Sequence, residues 1–210
     1  DSQFKVAAQL VGEGEQFHFL ALGAMYRCVG YYCLENNIDL KDEQAVSQAL
    51  KQIKIEMDSN NHIFLNGQDV SQVIRQDQVS MSASVVSSYQ AVRTFLVEQQ
   101  RQMANVGGVI LDGRDIGTVV LPNAELKIYQ IASVDTRAKR RYLENQERGL
   151  TADLELIKKD IEQRDYQDMN RDISPLKQAE DAIVLDTSAM TLQEVVDAVL
   201  KLVEEKIKEV

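Results

Sequence analysis

The sequence feature that most constrains the fold is an apolar run followed at once by a turn rich in glycine and charge. The run Val109–Leu111 is typical of a buried strand, and it leads into the turn Asp112–Asp115, which also carries Arg114. In an open parallel sheet, ligands bind in the crevice at the carboxyl ends of the strands. The sequence therefore predicts an α/β protein whose turn contacts a phosphate, a base or a metal.

The net charge of the chain limits its partners. The 210 residues carry a formal charge of −10, with 44% apolar and 27% charged side chains, an ordinary composition for a globular domain. A predominantly acidic surface does not attract nucleic acid or an anionic membrane, so we expect neither as a partner. Any anionic ligand must therefore meet a local cluster of positive charge. We expect a monomer.

The cysteines and histidines predict structural roles. Cys28 and Cys33 lie five residues apart in an apparently helical stretch, which is a poor arrangement for a disulfide. We expect both to be reduced core residues of a cytoplasmic protein. As a separate observation, no apolar run of the sequence approaches the ~18 residues of a membrane span. His18 and His62 are too far apart in sequence to suggest a metal site.

Strands alternate with helices along most of the chain, which predicts a parallel sheet with helices on both faces. The predicted strands are 17–20, 109–112, 126–131 and 183–186. Between residues 53 and 70 the apolar side chains alternate instead, and Asn66-Gly67 is a strong hairpin signal. This segment is predicted to form a small antiparallel sheet inserted into the parallel framework.

Helical spacing of apolar residues predicts the other elements. The predicted helices are 4–11, 26–36, 42–52, 80–106, 151–171 and an amphipathic terminal helix. A further, arginine-rich helix is predicted to begin at a cap formed by Ser133 or Asp135 and to end at Gly149.

Arginines concentrate in one part of the sequence, which supplies the required cationic cluster. Between residues 137 and 171 they are Arg137, Arg140, Arg141, Arg148, Arg164 and Arg171. Arg137 and Arg141 are four apart, and Arg164, Asp168 and Arg171 have the spacing of one helical face. Such sets can grip phosphoryl oxygens, although a solvated pair of helices with Arg–Glu pairs is an equally good interpretation of the cluster alone.

Three further residues have the hydrogen-bonding groups that match cytosine. Ser84 and Arg93 supply a hydroxyl and a guanidinium for a ring nitrogen and a carbonyl, and Asp115 supplies an acceptor for an exocyclic amine. Uracil would place a carbonyl against this carboxylate, so the set favours cytosine over uracil.

Several motifs, in this order from Phe17 to the C-terminus, resemble the bacterial cytidylate kinases, a family of nucleoside monophosphate kinases. The residues that carry the resemblance are Gly23-Ala24-Met25-Tyr26-Arg27, Asp112–Val120, Arg137–Tyr142, Arg164–Arg171, Ser174-Pro175-Leu176, Ala179–Ala182 and Leu185-Asp186.

The resemblance implies transfer of the terminal phosphoryl group of ATP, with Mg²⁺, to CMP or dCMP. It implies a P-loop kinase-like core with a parallel sheet, a small nucleoside monophosphate-binding insertion and a helical lid. The expected boundaries are 1–40, 80–134 and 172–210 for the core, 41–79 for the insertion and 135–171 for the lid.

The resemblance also implies roles on the acceptor side of the site. Arg27 and Arg114 would hold the acceptor phosphate. Ser84, Arg93 and Asp115 would contact the base.

The remaining roles implied by the resemblance fall on the arginine-rich segment. Arg164 and Asp168 would contact the ribose, Arg171 would reach the acceptor nucleotide, and Arg137 and Arg141 would cover the donor phosphates.

No strong base is expected, because positioning and charge neutralisation supply most of the acceleration. We therefore expect the catalytic residues to be Arg137, Arg141, Arg164, Arg171 and Asp112. Asp112, at a strand end, would orient the water shell of Mg²⁺ rather than bind the metal directly.

The chain departs from the family in two places. No strand followed by the phosphate-binding pattern G-x-x-x-x-G-K-[ST] is recognisable before the first helix, and Gly12-x-Gly14 is not a substitute. We expect that the true N-terminal segment is missing, disordered or misread in this sequence rather than lost from the protein. A protein that had lost the segment would lack its donor-phosphate site and would be nearly inactive. Ala21-Leu22 also replaces the acidic and hydroxyl pair expected before Gly23.

Two alternatives remain from the sequence. A non-catalytic CMP-binding protein of the same fold would lack a functional phosphate-binding loop. An interaction module that grips an acidic partner or RNA is disfavoured, because the chain is acidic and its arginines lack an aromatic stacking platform.

Overall fold

The computed structural model describes residues 18–58, 60–105, 107–147 and 149–208. They divide into two compact units, one up to Ile116 and the other from Gly117 onwards. The predicted helix over 4–11, the turn at 12–14, Phe17 and Arg148 lie outside the described residues. Within the described ranges, none of the helices has the length and apolar character needed to span a membrane.

The first unit contains most of the mixed α/β framework. In chain order its elements are β1 (His18–Ala21), α1 (Gly23–Glu35), α2 (Glu43–Ala49), β2 (Ile55–Met57), β3 (Ile63–Leu65), β4 (Gln68–Asp69), α3 (Asp77–Val86), α4 (Gln90–Ala104) and β5 (Val109–Asp112). Strands β1 and β5 pair in parallel, with Ala21 opposite Asp112 at their carboxyl ends. This pairing brings the end of the first strand beside the charged turn.

Helix α1 supplies much of the core of the first unit. Met25, Cys28, Val29 and Cys33 are fully buried on one side of it. Both thiols are free, and burial raises the pKa of Cys28 to about 12 and that of Cys33 to about 11. The prediction of two unpaired core cysteines is confirmed, and both remain protonated near neutral pH.

Gly30 allows α1 to approach α3 closely. A Cβ atom at this position would lie 2.3 Å from Oγ of Ser82 and 2.9 Å from the backbone nitrogen of Ala83. The neighbouring backbone cannot move aside as a long side chain can. The missing side chain at Gly30 therefore sets the separation of the two helices.

The predicted small antiparallel sheet is confirmed. Strand β3 pairs with both β2 and β4, and the β3–β4 turn has positive φ angles at Asn66 (50°) and Gly67 (81°). Positive φ at both positions is the requirement of a type I′ hairpin, which asparagine and glycine meet at low cost. The Asn66 side chain also accepts a hydrogen bond from the Lys54 amide (2.8 Å) and donates one to the Gln52 carbonyl (2.8 Å).

The prediction of one helix over 80–106 is wrong, because the structure has α3 and α4 with a break between them. At the break, Ser87 and Ser88 donate their hydroxyl protons to the carbonyls of Ser84 and Val85. Such bonds compete with the helical backbone pattern, and Tyr89 then takes an extended conformation (φ −87°, ψ 129°). The apolar periodicity runs through this break, so it did not reveal the interruption.

The second unit contains the remaining strands and the arginine-rich helices. Its elements are β6 (Ile128–Ile131), α5 (Val134–Glu147), α6 (Leu154–Asn170), β7 (Ile183–Asp186) and α7 (Leu192–Lys208). Strands β6 and β7 pair in parallel. Of the two proposed caps for α5, Ser133 is the one used, since its Oγ accepts a hydrogen bond from the amide of Thr136 (3.1 Å).

The described architecture is mixed α/β, with parallel strand pairs, several helices and a small antiparallel sheet, as the sequence predicts. The parallel strand pair of the first unit is β1–β5, and that of the second unit is β6–β7. The strand signals in the sequence locate each of these strands, but they do not specify which strands pair.

We expect Gly30→Ala to lower the free energy of unfolding by about 1–3 kcal/mol, because overpacking at a helix contact outweighs the roughly 1 kcal/mol gain in helix propensity. Chemical denaturation followed by circular dichroism measures the change. Gly23→Ala, in the first turn of the same helix, is the matched control, since a Cβ there has no heavy atom within 4 Å. Equal stabilities of the two variants would contradict the proposed close packing.

One ion pair closes the loop between β2 and β3. Nδ1 of His62 lies 2.8 Å from Oδ2 of Asp58, and Oδ1 of Asp58 accepts hydrogen bonds from the amides of Asn60 (2.9 Å) and His62 (2.8 Å). The hydrogen bond to Asp58 and its charge raise the pKa of His62, and Asp69 adds to this in the same direction. The same pair lowers the pKa of Asp58.

We expect the His62 pKa, measured by proton NMR, to lie above the ordinary value of about 6.5 and to fall in Asp58→Asn. Because the folded pKa is raised, the stabilisation from charged His62 is fully present below the unfolded pKa. It is lost as pH rises through the folded pKa. His62→Gln identifies the resonance, since the chain has only one other histidine. An unchanged midpoint in Asp58→Asn would disprove the assigned cause.

Candidate active site

A buried ion pair lies at the centre of the candidate site in the first unit. Nη1 of Arg93, on α4, donates a hydrogen bond to Oδ2 of Asp115 in the turn after β5, at 2.9 Å. The side chains are only 4% and 7% exposed. Two predicted base-contacting residues, separated by 22 positions in sequence, are thus brought into direct contact.

Tyr26 lies against the same guanidinium group. Its hydroxyl oxygen is 3.4 Å from Nη1 of Arg93, and the centre of its ring is 5.5 Å from Cζ. The ring distance is within the range of a cation–π interaction. Tyr26 was part of the motif in the sequence but had no predicted role.

Arg93 also has a donor that is not satisfied within the protein. Its Nε–H is buried and has no hydrogen-bond partner in the structure of the described chain. A buried donor without a partner is costly, and such groups are rare in native proteins. Arg93 therefore has hydrogen-bonding capacity for a ligand beyond its bond to Asp115.

Arg27 and Ser84 are the predicted acceptor-side residues on α1 and α3 of this unit. Nη1 of Arg27, in the second turn of α1, donates to the carbonyl of Ile74 at 3.3 Å. Ser84 is half-buried near the end of α3, where its carbonyl accepts the hydroxyl of Ser87. The helix break after Ser84 separates its helix from that of Arg93, so the two residues do not lie along one helix as the sequence suggested.

Asp112 is the last residue of β5, and Arg114 lies in the turn that follows the strand. Asp112 is half-buried, and Arg114 is exposed. Burial raises the pKa of the Asp112 carboxyl, whereas the positive charge of Arg114 acts in the opposite direction. A lone carboxylate at a strand end can orient the water shell of a hard cation. The described residues contain no cluster of three carboxylate, histidine or cysteine groups that could hold a metal directly.

In the second unit, Arg137 makes a two-pronged contact with Asp165. Nη1 and Nη2 of Arg137 donate to the two carboxylate oxygens of Asp165, and Nε donates to the carbonyl of Ala132 at 3.0 Å. This contact ties α5 to α6. A guanidinium that holds a carboxylate in this fork has the geometry to hold a phosphate in the same way.

Arg171 and Asp168 also pair. Nη1 of Arg171 is 3.2 Å from Oδ1 of Asp168, and Nε of Arg171 donates to the carbonyl of Ser174 at 2.8 Å. Arg171 caps the C-terminus of α6: its amide still donates to the carbonyl of Gln167, whereas its own conformation is extended (φ −67°, ψ 145°). Ser174 has a positive φ of 47°, and the chain turns there. The pair has the i, i+3 spacing of a helix, and the turn supplies the Ser174 carbonyl as a second acceptor for Arg171.

The remaining predicted residues of the second unit are on the two helices. Arg141 is half-buried on α5, and Arg164 is half-buried on α6.

The sequence analysis assigned no individual role to two residues that organise these contacts, Asp165 and Arg140. Asp165 lies next to Arg164 in the motif and binds Arg137. Arg140 donates to the backbone carbonyls of Thr187 (2.6 Å) and Met190 (2.9 Å), which anchors α5 after β7. Both were visible within the motifs, but their partners are 28 and 47 or more positions away. Spacing within one helix does not identify such partners.

Comparisons with known proteins match almost the whole chain. The family described as Cytidylate kinase matches residues 5–205. The chain is 45% identical to the cytidylate kinase of Bacillus cytotoxicus over 204 residues, which cover 96% of this chain and 91% of that protein. It is 45% identical to the cytidylate kinase of a Geobacillus species over 203 residues, which cover 95% and 91% of the two chains.

A third relative, the cytidylate kinase of Bacillus subtilis, is 43% identical over 202 residues, which cover 95% of this chain and 90% of that protein. The matched family and these relatives span both units and every predicted site residue. This chain therefore belongs to the cytidylate kinase family.

Proposed function

We propose that this protein transfers the terminal phosphoryl group of ATP to CMP or dCMP, giving CDP or dCDP and ADP. Membership of the cytidylate kinase family supports the reaction. The observation that carries the choice of base is the buried pair of Arg93 and Asp115, because it places a donor and an acceptor together in a site with little solvent. The non-catalytic alternative gains no support from the family or from the names of the relatives.

The carboxylate of Asp115 would accept a hydrogen bond from the exocyclic amine of cytosine. The Arg93 guanidinium would donate to the ring nitrogen or carbonyl, and the Ser84 hydroxyl would complete the set. The buried Nε–H of Arg93, which lacks a protein partner, supports this assignment. Uracil would present a carbonyl to a carboxylate at low exposure, where the repulsion is poorly screened by water.

Arginines would also hold the phosphates. Arg27 and Arg114 would hold the acceptor phosphate, and Arg137 and Arg141 would cover the donor phosphates. Asp165 takes one N–H of each Nη atom of Arg137, so the remaining Nη–H groups of this guanidinium would be the ones that contact phosphate. Such groups stabilise the charge that develops during transfer, so no strong base is needed.

The ribose contacts would come from Arg164 and Asp168, and Arg171 would reach the acceptor nucleotide. The hydrogen bonds of Arg171 to Asp168 and to the Ser174 carbonyl support this arrangement, because they fix the guanidinium before any ligand arrives. A fixed guanidinium loses less conformational freedom on binding.

Mg²⁺ fits the residues present. Asp112 offers a half-buried carboxylate at the end of β5, and Mg²⁺ usually keeps several waters and takes only one or two protein carboxylates. When bound with ATP, the ion neutralises charge on the phosphates. Asp112 would hold the water shell in place.

The proposed domains follow the same family pattern. Residues 1–40, 80–134 and 172–210 would form the core, 41–79 the acceptor-binding insertion and 135–171 the lid. The antiparallel sheet β2–β4 would belong to the insertion, and helices α5 and α6, which Arg137 and Asp165 tie together, would form the lid. We further propose a cytoplasmic monomer that acts in pyrimidine nucleotide metabolism. The two free, buried thiols fit a reducing compartment.

The full chain, given ATP and Mg²⁺, is expected to form CDP from CMP and dCDP from dCMP, with far lower rates for UMP and AMP. A coupled assay of ADP formation measures all four acceptors side by side. Binding of CMP without any turnover would instead favour a non-catalytic CMP-binding protein.

We expect Asp115→Asn to lower the ratio of kcat/KM for CMP over UMP by about 10-fold or more, because the amide removes the charge that repels a carbonyl. The buried Arg93 then lacks its counter-charge, so circular dichroism must first establish that the variant is folded. Asp160→Asn, an exposed acid on α6, is the control for a general loss of charge. An unchanged ratio in a folded Asp115→Asn variant would refute the base assignment.

A further inference from the structure

We infer that Tyr26 is a positioning residue that holds Arg93 in the orientation needed to donate to a pyrimidine base. The inference rests on the proposed function, because Arg93 is the residue proposed to contact the base. Tyr26 would act through Arg93 and would not itself take part in transfer.

Two independent contacts join Tyr26 to the guanidinium. The hydroxyl oxygen of Tyr26 accepts from Nη1 of Arg93 at 3.4 Å, which is a long and weak hydrogen bond. The ring centre lies 5.5 Å from Cζ of Arg93, which adds an interaction between the cation and the aromatic face. The ring and the hydroxyl can therefore be removed separately by substitution.

The contacts of Tyr26 and Asp115 are at one atom of the guanidinium, and this position determines how they orient the Nε–H. Nη1 of Arg93 is shared between Tyr26 and Asp115, whereas the buried Nε–H has no protein partner. Tyr26 and Asp115 hold one end of the group, and the unsatisfied donor is on another edge. With the group held at Nη1, the direction of the Nε–H is fixed before the base binds.

Asp115 alone would not fix this direction. A single hydrogen bond at 2.9 Å constrains only Nη1, and more than one arginine rotamer can satisfy one bond. The aromatic face of Tyr26 restricts this choice because it favours a particular position of the cation over the ring. The Tyr26 contacts therefore supply the second constraint.

The backbone supports Tyr26 at this point. It lies in the first turns of α1, one helical turn before Gly30, where α1 packs closely on α3. Arg93 is on α4. The packing of α1 thus sets the position of Tyr26, and Tyr26 sets the orientation of a side chain from a different helix.

Tyr26→Phe, Tyr26→Leu and the control Tyr32→Phe, on the same helix, test the inference. We expect Tyr26→Phe to raise the KM for CMP about 3- to 10-fold, with kcat within about twofold, because one weak hydrogen bond is lost. We expect Tyr26→Leu to raise the KM for CMP further, since the aromatic ring is also lost. The KM for UMP should change less, so the selectivity for CMP falls, and Tyr32→Phe should match the parent.

Thermal unfolding of each variant separates a loss of folding from a loss of positioning. Equal changes for CMP and UMP, or a KM for CMP in Tyr26→Phe that equals that of the parent, would overturn the inference. A fall in kcat at unchanged KM would also overturn it, because that result indicates a direct role in transfer.

Calorimetric titration with CMP separates failure of this inference from failure of the proposed function. If the parent binds CMP but forms no CDP, the proposed function fails, and the dissociation constants for CMP of the same variants still test the role of Tyr26. A 3- to 10-fold rise of the dissociation constant in Tyr26→Phe supports the inference, and an unchanged constant overturns it. If the parent does not bind CMP, both proposals fail.

Discussion

The buried ion pair of Arg93 and Asp115 is the constraint on which the candidate base site depends. Removing two charges from water is expensive, and the attraction between them recovers that cost only when their geometry is good and their other polar atoms are satisfied. Here one donor of Arg93 stays unsatisfied within the protein. The pair is therefore poorly explained as a device for stability alone, whereas the proposed base would supply an acceptor for this donor.

The same principle extends to the arginines of the second unit. Arg137 is bound to Asp165, and Arg171 is bound to Asp168, so these guanidinium groups are fixed by carboxylates of the protein. This arrangement suits a chain with a net charge of −10 that must nonetheless bind anionic nucleotides. Each of these cations is held in a defined geometry, and such a local positive charge can act at short range against the long-range negative charge of the chain.

The sequence predicts well those features that depend on neighbouring residues. The hairpin at Asn66-Gly67 depends on the φ angles of two residues, and the cap at Ser133 depends on one hydroxyl and one nearby amide. The helix break after Ser87 is also local, but the apolar spacing continues across it and conceals it. Amphipathic periodicity reports which face is buried and does not report whether the backbone is continuous.

Features that depend on distant residues could not be predicted from local patterns. The match to one base and the resemblance to the family placed Arg93 and Asp115 at the same predicted site, but they did not predict that the two side chains pair directly. Tyr26 belongs to the same motif, yet no local pattern indicates that its ring lies over a guanidinium 67 positions later in the sequence. The contact of Arg171 with Asp168, by contrast, has the i, i+3 spacing that the sequence suggested, and only the bond of Arg171 to the Ser174 carbonyl depends on the turn.

Helix α1 links the stability of the first unit to its chemistry. Its close contact with α3 depends on the absence of a side chain at Gly30, and its first turns carry Tyr26 and Arg27. A shift of α1 away from α3 would move Tyr26 relative to Arg93, although Gly30 is adjacent to neither residue in the sequence. Because protein interiors are closely packed, such a shift is transmitted rather than absorbed. The geometry of Arg93, the residue proposed to contact the base, is therefore set in part by a helix contact made one turn further along α1.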